Sequence, residues 1–380
     1  MSVASPHLVP VYSRTRGVLD GEALRVADGE TILGREVDGG EQLFAGDTMV
    51  SRQHAELRVS ADPWRIEIMD LESKNGTFVN GRSLPSQFLV DGDLVRIGDT
   101  FFVFRLLEGV EENSSGLSGR APSLIRLRKQ IDQLSVHRPW VLLTGVEGAD
   151  FDPVVEAVHR QINPEGSLQD ATAASLPSAL GGVATVVVRN IDLLGPKATT
   201  LLMEHRGLAP IIATSTRDLE AKLGAGVFDA GLYERFAGSV LRVPPLRERR
   251  EDLPAMIVQL LGDDVPSPTT DLIETLLLYG WGGDMEELVN VASDLRVRGS
   301  GLDALMTDLV SPRLRGSLSP GPEDSMTQVE IRRPVPSRPD LEGLLALHDD
   351  DVDAVAEALG RSRMQVLAWI QQVGLKTEDS

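Results

Sequence analysis

Three apolar runs, 140-WVLLTG-145, 183-VATVVVRNI-191 and 209-APIIATS-215, constrain this chain more than any other feature. None of them alternates. A strand with one wet face reads apolar–polar–apolar, whereas a strand covered on both faces reads as an unbroken run of Val, Ile and Leu. Amphipathic helical segments flank and separate the runs, beginning with 123-SLIRLRKQIDQLS-135. Strands alternating with helices predict an α/β layer with a parallel sheet over residues 123–310, becoming wholly helical from about residue 250.

The rest of the chain follows other periods. From 8 to 107, short strand-like segments such as 22-EALRVA-27, 54-HAELRVS-60, 64-WRIEIMDL-71, 94-LVRIGD-99 and 101-FFVFRLL-107 lie between Gly, Asp and Asn clusters. That pattern predicts an all-β sandwich. Residues 108–122 are Glu-, Ser- and Gly-rich and read as a linker. Residues 311–338 are rich in Pro, Ser and Arg without an apolar period, so they are expected to be a second, disordered linker. Residues 339–377 are helical again. The chain is thus expected to be multidomain: an all-β sandwich, an α/β domain with a helical lid, and an all-α tail.

Composition narrows the chemistry. None of the 380 residues is cysteine, which excludes a disulfide framework and a thiolate metal site. No metal centre or cofactor is expected. No run approaches eighteen apolar residues and the first residues lack a signal-peptide core, so a cytoplasmic chain without a membrane span is expected. The formal net charge of −20 repels nucleic acid, and any DNA contact needs a local basic patch.

Three polar loops of the sandwich carry a phosphate-binding set: 34-GR-35, 50-VSRQHAEL-57 and 70-DLESKNGTFVNG-81. Arg35, Ser51, Arg52, Lys74 and Asn75 supply guanidinium, hydroxyl, ammonium and amide groups within short reach. An arginine fork grips a phosphate through charge-assisted hydrogen bonds. G-R, then S-x-x-H, then N-G-T-x-V-N-G, in this order, resembles the forkhead-associated (FHA) family. The resemblance implies a β-sandwich that binds phosphothreonine peptides. Arg35 and Ser51 would hold the phosphate, Arg52 and Lys74 would add charge, and Asn75 would bond the peptide backbone. Gly34, His54 and Gly76 would be architectural. Asn80 and Gly81 most simply form a hairpin turn.

The first apolar run raises a different question. It turns at Gly145 into a helix, as a phosphate-binding P-loop does. On that pattern the second glycine is Asp150, the lysine is Phe151 and the hydroxyl residue is Asp152. Further on, 244-PPLRERREDLP-254 and 281-WGGDMEELVN-290 resemble the AAA+ domain of sigma-54 enhancer-binding proteins. On that resemblance the metal-binding Asp-Glu pair is Arg189–Asn190, the sensor asparagine is Thr216, and the second sensor arginine is Glu286 or a neighbour. Arg235 alone keeps a position like that of a trans-acting arginine finger. The G-A-F-T-G-A loop of the family has no counterpart in 161–184. Phenylalanine cannot offset phosphate charge, and Asp150 and Asp152 add repulsion. Gly145, Asp150, Phe151, Asp152, Arg189 and Asn190 are therefore expected to form a degenerate nucleotide site in a pseudo-ATPase. Arg189 is expected to close it by a salt bridge to Asp150 or Asp152.

The tail segment 352-VDAVAEALGRSRMQVLAWIQQVGL-375 has helix-turn-helix spacing, with Gly360 at the turn, and resembles the Fis-type unit that ends enhancer-binding proteins. Its second helix would present Arg361, Ser362, Arg363 and Gln365 to DNA. From Asp340 to Ser380, however, nine acids face three bases. Dimerisation and DNA targeting both stay open for it. The whole reads as a regulatory adaptor. Its partner would be a phosphothreonine protein, such as a Ser/Thr kinase or its substrate, with a DNA-binding regulator acting through the tail as the alternative and an ATP-driven sigma-54 activator disfavoured.

Overall fold

The apolar runs become three strands of a five-stranded, all-parallel sheet whose neighbours are, in order, 168–170, 185–188, 211–215, 140–144 and 240–242. Its strands are β12 (Trp140–Thr144), β13 (Leu168–Asp170), β14 (Thr185–Val188), β15 (Ile211–Ser215) and β16 (Val240–Arg242). Successive residues serve opposite faces, as a pleat requires. Val141, Leu143, Val187 and Ile212 pack on α2 (Pro122–Asp132) and α3 (Asp152–Ile162). Leu142, Val186, Val188, Ile211 and Ala213 pack on the other side, against α4 (Leu176–Ala179), α5 (Pro196–Glu204), α6 (Leu219–Gly224) and α7 (Ala230–Glu234). Helices on both faces explain why the runs do not alternate. The lid follows as α8 (Leu253–Leu261), α9 (Thr270–Leu278), α10 (Asp284–Gly299) and α11 (Pro312–Arg315).

The computed structural model describes residues 5–316 except 28, 62–63, 108–115, 136–139 and 208, and in the C-terminal stretch Leu345 and Val355. Residues 1–319 and 320–380 are separate units. In the second, Leu345 and Val355 are buried helical positions. Arg361, Ser362, Arg363 and Gln365 lie outside the described residues, as do residues 317–338; residues 311–316, expected as the start of a disordered linker, instead carry α11, because Ser311 caps it and Leu314 is buried in the lid core. Among the described residues no helix is long and apolar enough to cross a membrane.

The N-terminal region is a two-sheet sandwich. One sheet runs β2 (Gly17–Val18), β1 (Ser5–Ser13), β11 (Thr100–Leu107), β10 (Leu94–Ile97), β7 (Thr77–Val79), β8 (Arg82–Ser83), with β3 (Leu24–Arg25) also on β1. The other runs β4 (Gly29–Leu33), β5 (Ala55–Ala61), β6 (Trp64–Asp70), β9 (Ser86–Phe88). A four-residue helix, α1 (Gly40–Leu43), lies between β4 and β5. Asn80 and Gly81 form the turn between β7 and β8, both at positive φ (49° and 77°) as a two-residue hairpin needs. Asn80 also bonds Asp93 (2.7 Å) and the Leu94 amide (3.0 Å).

The strand β11 is buried over its first six residues. Phe102 and Phe104, with Leu8, Val95 and Ile97, fill the sandwich core. Phe101 and Val103, with Val9, Val11, Tyr12 and Leu94, enter instead one core with Leu253, Ile257, Leu272, Leu276 and Trp281 of the lid region. A bulge between Pro10 and Tyr12 shifts the register of β1 there, and Val11 and Tyr12 both join this second core. The sandwich is therefore docked on the lid. Arg105 pairs with Glu251 (Nη2–Oε2 3.1 Å) and with Asp91 (2.9 Å), and Arg96 pairs with Glu274 (3.1 Å) beneath the Phe78 ring. Arg250 donates to the Gly92 carbonyl (2.6 Å) and Thr270 to Asp99 (2.7 Å). Burial raises the Glu274 carboxyl above its ordinary range, with Arg96 opposing. The second half of the first linker is packed as well. Leu117 is buried, and the Arg120 guanidinium donates to the carbonyls of Pro10, Leu19 and Gly21 at 3.1, 2.8 and 2.7 Å.

Candidate functional site

Three loops at one end of the sandwich are tied into a single surface. Arg35 N donates to Ser51 O and Glu36 N to Arg52 O, each at 3.1 Å. Gly34 permits this approach, since a Cβ there would sit 2.2 Å from the Arg52 carbonyl oxygen. His54 is fully buried behind the loops. Its Nδ1 accepts from Ser51 N (3.0 Å), which leaves the proton on Nε2 to donate to Gly76 O (3.1 Å). One neutral imidazole thus joins the second loop to the third. Ser51 Oγ accepts from Lys74 N (3.1 Å), and Asn75 Nδ2 donates to Met49 O (2.7 Å).

The third loop is shaped by a residue the sequence reading did not single out. Asp70 accepts from Ser73 N (2.9 Å), Ser73 Oγ (2.6 Å) and Thr77 Oγ1 (2.7 Å), and Ser73 Oγ accepts in turn from Gly76 N (2.9 Å). Burial pushes the Asp70 carboxyl up, but these hydrogen bonds outweigh it and leave it below the ordinary carboxylate range. The signal was present as 70-D-L-E-S-73, the spacing at which an aspartate side chain closes a local turn.

Arg35, Ser51, Arg52, Lys74 and Asn75 all line one open cavity of about 740 Å³. Arg35, Arg52 and Lys74 are exposed, and none of their side chains has a carboxylate partner among the described residues. Three uncompensated cations around a hydroxyl and an amide form a ready anion site. Gly34, His54 and Gly76 lie behind that surface.

The P-loop region has the opposite arrangement. Phe151 is buried, and its ring lies against Gly145, where an added Cβ would come within 3.0 Å of Cζ. At the start of α3, where a phosphate would meet backbone N–H groups, Asp150 accepts from Asp152 N (3.1 Å). Arg189 pairs with Asp152 and with Asp170 of the edge strand, both at 2.7 Å. The hydrogen bond to Asp170, then that to Asp152, holds the guanidinium firmly charged. The expected bridge to Asp152 is present; the second partner is Asp170, not Asp150, because β13 brings that carboxylate alongside β14. Asn190 adopts φ 49° and donates its amide to Thr214 Oγ1 (3.2 Å). The lid closes directly on the loop. Glu286 N donates to Gly148 O (3.1 Å), and a Cβ on Gly148 would lie 1.9 Å from the Gly283 carbonyl oxygen. Thr216 and Glu286 line the same 510 Å³ cavity as Asp150, Phe151, Arg189 and Asn190. Arg235 is turned into its own domain, stacked 4.3 Å from the Trp140 ring centroid and donating to His205 O (3.1 Å).

These features define a two-sheet sandwich with an open anion site, joined to an α/β body whose first strand turns into a helix as a P-loop does. Comparison with known families agrees. Residues 31–98 match the FHA domain family and residues 118–246 the family described as Sigma-54 interaction domain. The chain carries both domains, in that order. Similar proteins include the response regulator PilR of Pseudomonas aeruginosa, 42% identical over 225 residues that cover 46% of this chain and 50% of PilR. The DNA-binding transcriptional regulator NtrC of Proteus hauseri is 25% identical over 283 residues, 60% of each chain. The chain thus spans half to three fifths of the length of these relatives. An FHA domain solved in a study of phosphothreonine-dependent FHA interactions is 32% identical, with 97% of it and 27% of this chain covered and a TM-score of 0.23.

Proposed function

We propose that this protein is a phosphothreonine-dependent regulatory adaptor. The FHA domain reads a phosphothreonine on a partner protein, either a Ser/Thr kinase or its substrate, and the AAA+-like body serves as a scaffold that does not turn over ATP. One observation carries the first half: Arg35, Arg52 and Lys74 share one cavity with Ser51 and Asn75, and none of the three cations is held in an ion pair among the described residues. In this reading Arg35 and Ser51 grip the phosphate, Arg52 and Lys74 add charge, and Asn75 bonds the peptide backbone. The tail would dimerise the protein or target it to DNA. That role is supported by relatives such as NtrC, described as a DNA-binding transcriptional regulator.

The second half is supported by the occupied cradle. A nucleotide would have to displace Phe151 and part the Gly148–Gly283 contact. It would also meet Asp150 at the second glycine position and Asp152 at the hydroxyl position, with Phe151 where lysine serves phosphate in working P-loops. Titration calorimetry of the full chain with ATP and Mg²⁺, with phosphate release followed in parallel, tests it. No heat of binding and no release are expected. Saturable binding with turnover would overturn the scaffold reading.

A further inference from the structure

The anion cavity is not lined by cations alone. Glu36 and Glu72 also face it, one beside Arg35 and one in the third loop. Both are exposed, and neither has an ion-pair partner among the described residues, although three cations share the cavity. Glu72 also holds a backbone conformation that favours glycine, φ 53°, and it is the one described non-glycine residue at positive φ among those lining the cavity. It lies within the turn closed by the hydrogen bond from Ser73 N to Asp70. Strain of this kind persists where the surroundings over-determine it, and its clustering at ligand-contacting loops directs attention to the side chain it presents.

We infer that Glu36 and Glu72 select phosphothreonine peptides carrying Lys or Arg beside the phosphorylated residue. The inference rests on the phosphothreonine reading above and names its substrate class. The phosphate satisfies Arg35, Arg52 and Lys74. With those charges neutralised by ligand, the two carboxylates are left facing the flanking residues. Basic flanks meet attraction at two places, and acidic flanks meet repulsion at the same two. An exposed pair contributes only a few-fold in affinity, so exchanging attraction for repulsion at both gives a ratio of about tenfold at low salt. The ratio shrinks as the Debye length falls below about 10 Å.

The test uses fluorescence anisotropy of the full chain with three labelled phosphothreonine peptides, flanked by Lys/Arg, by Ser/Gly, or by Glu, each with its unphosphorylated counterpart. The basic phosphopeptide is expected to bind about tenfold tighter than the acidic one. In the Glu36→Gln/Glu72→Gln variant that gap is expected to fall below about threefold. The variant moves the chain from its net charge of −20 by only two charges, so a preference due to the overall field would survive it nearly intact. The Ser/Gly phosphopeptide reports whether the variant's site is still folded, and Glu72→Gly removes one carboxylate while relieving the backbone. Equal binding of basic and acidic phosphopeptides, or a gap unchanged in the double variant, overturns the selectivity and leaves phosphothreonine recognition standing. Binding no tighter than that of the unphosphorylated peptides overturns both.

Discussion

Two loop surfaces in this chain offer arginine to the same kind of ligand and handle it in opposite ways. At the sandwich, Arg35 and Arg52 stand with Lys74 and lack an internal counter-ion. At the P-loop, Arg189 has two, Asp152 and Asp170. An anion site is therefore defined less by the cations it contains than by whether a carboxylate is paired with them. The comparison also involves the body between the two surfaces, since the sandwich and the lid that closes on Gly148 share a core.

The largest effect is expected from breaking that shared body. Glu251 is buried and pairs with the buried Arg105. Glu251→Ala leaves Arg105 with only the half-exposed Asp91, and removing one partner of a buried pair costs about 3–5 kcal/mol. Urea unfolding is expected to shift by that amount and to separate into two transitions, sandwich and α/β body. A single transition with unchanged midpoint would mean that the Arg105–Glu251 pair does not hold the sandwich to the body. Next in size, Arg35→Ala removes a charge-assisted donor from the open site. At about 1.5–3 kcal/mol per hydrogen bond to a charged group, phosphothreonine peptide affinity is expected to fall roughly ten- to hundredfold with the thermal midpoint unchanged. Retained affinity would move the phosphate elsewhere on the sandwich.

How much of this was legible beforehand differs between the two regions for a physical reason. The five residues of the open site could be listed from order and spacing, because all five fall in three short polar segments of the sequence. The three parallel strands were equally plain as unbroken apolar runs. β13 was not, since Leu168–Asp170 is three exposed residues with no pattern to read. The second partner of Arg189 was missed with it. The dock was hidden in another way. Arg96, Arg105, Glu251 and Glu274 look like surface charges until the opposite face of β10 and β11 is known to be covered. The one clue was 101-FFVF-104, which fails to alternate where a sandwich strand with a wet face would.

A smaller effect sharpens the account of why the open site keeps its shape. Asp70 lies below the ordinary carboxylate range. Its folded pKa is therefore under its unfolded value of about 3.9. The stabilisation it gives the third loop is fully present above that value and is lost as pH falls through the folded pKa. Hydrogen exchange at the amides of Lys74–Gly76 is expected to lose protection in acid while the parallel sheet keeps its own. Asp70→Asn, costing about 1–2 kcal/mol at this partly exposed position, should show the loosened loop already at neutral pH. Protection that follows the sheet at every pH would assign the loop's shape to His54 alone.

The smallest expected effect bears most directly on the comparison. Arg189 and both its partners are substantially exposed, at 43%, 65% and 62% of their side-chain surface. Such pairs contribute under about 1 kcal/mol, so Arg189→Ala should barely move the unfolding midpoint. Asp150, Asp152 and Asp170 would then stand without a cation at the mouth of the P-loop, and the site should repel anions more strongly than before. Calorimetry of Arg189→Ala with ATP and Mg²⁺ is expected to show no binding. If it does bind, the pairing of Arg189 was holding back a competent site, and neutralised arginine, not the loss of lysine at Phe151, would be what separates the two surfaces.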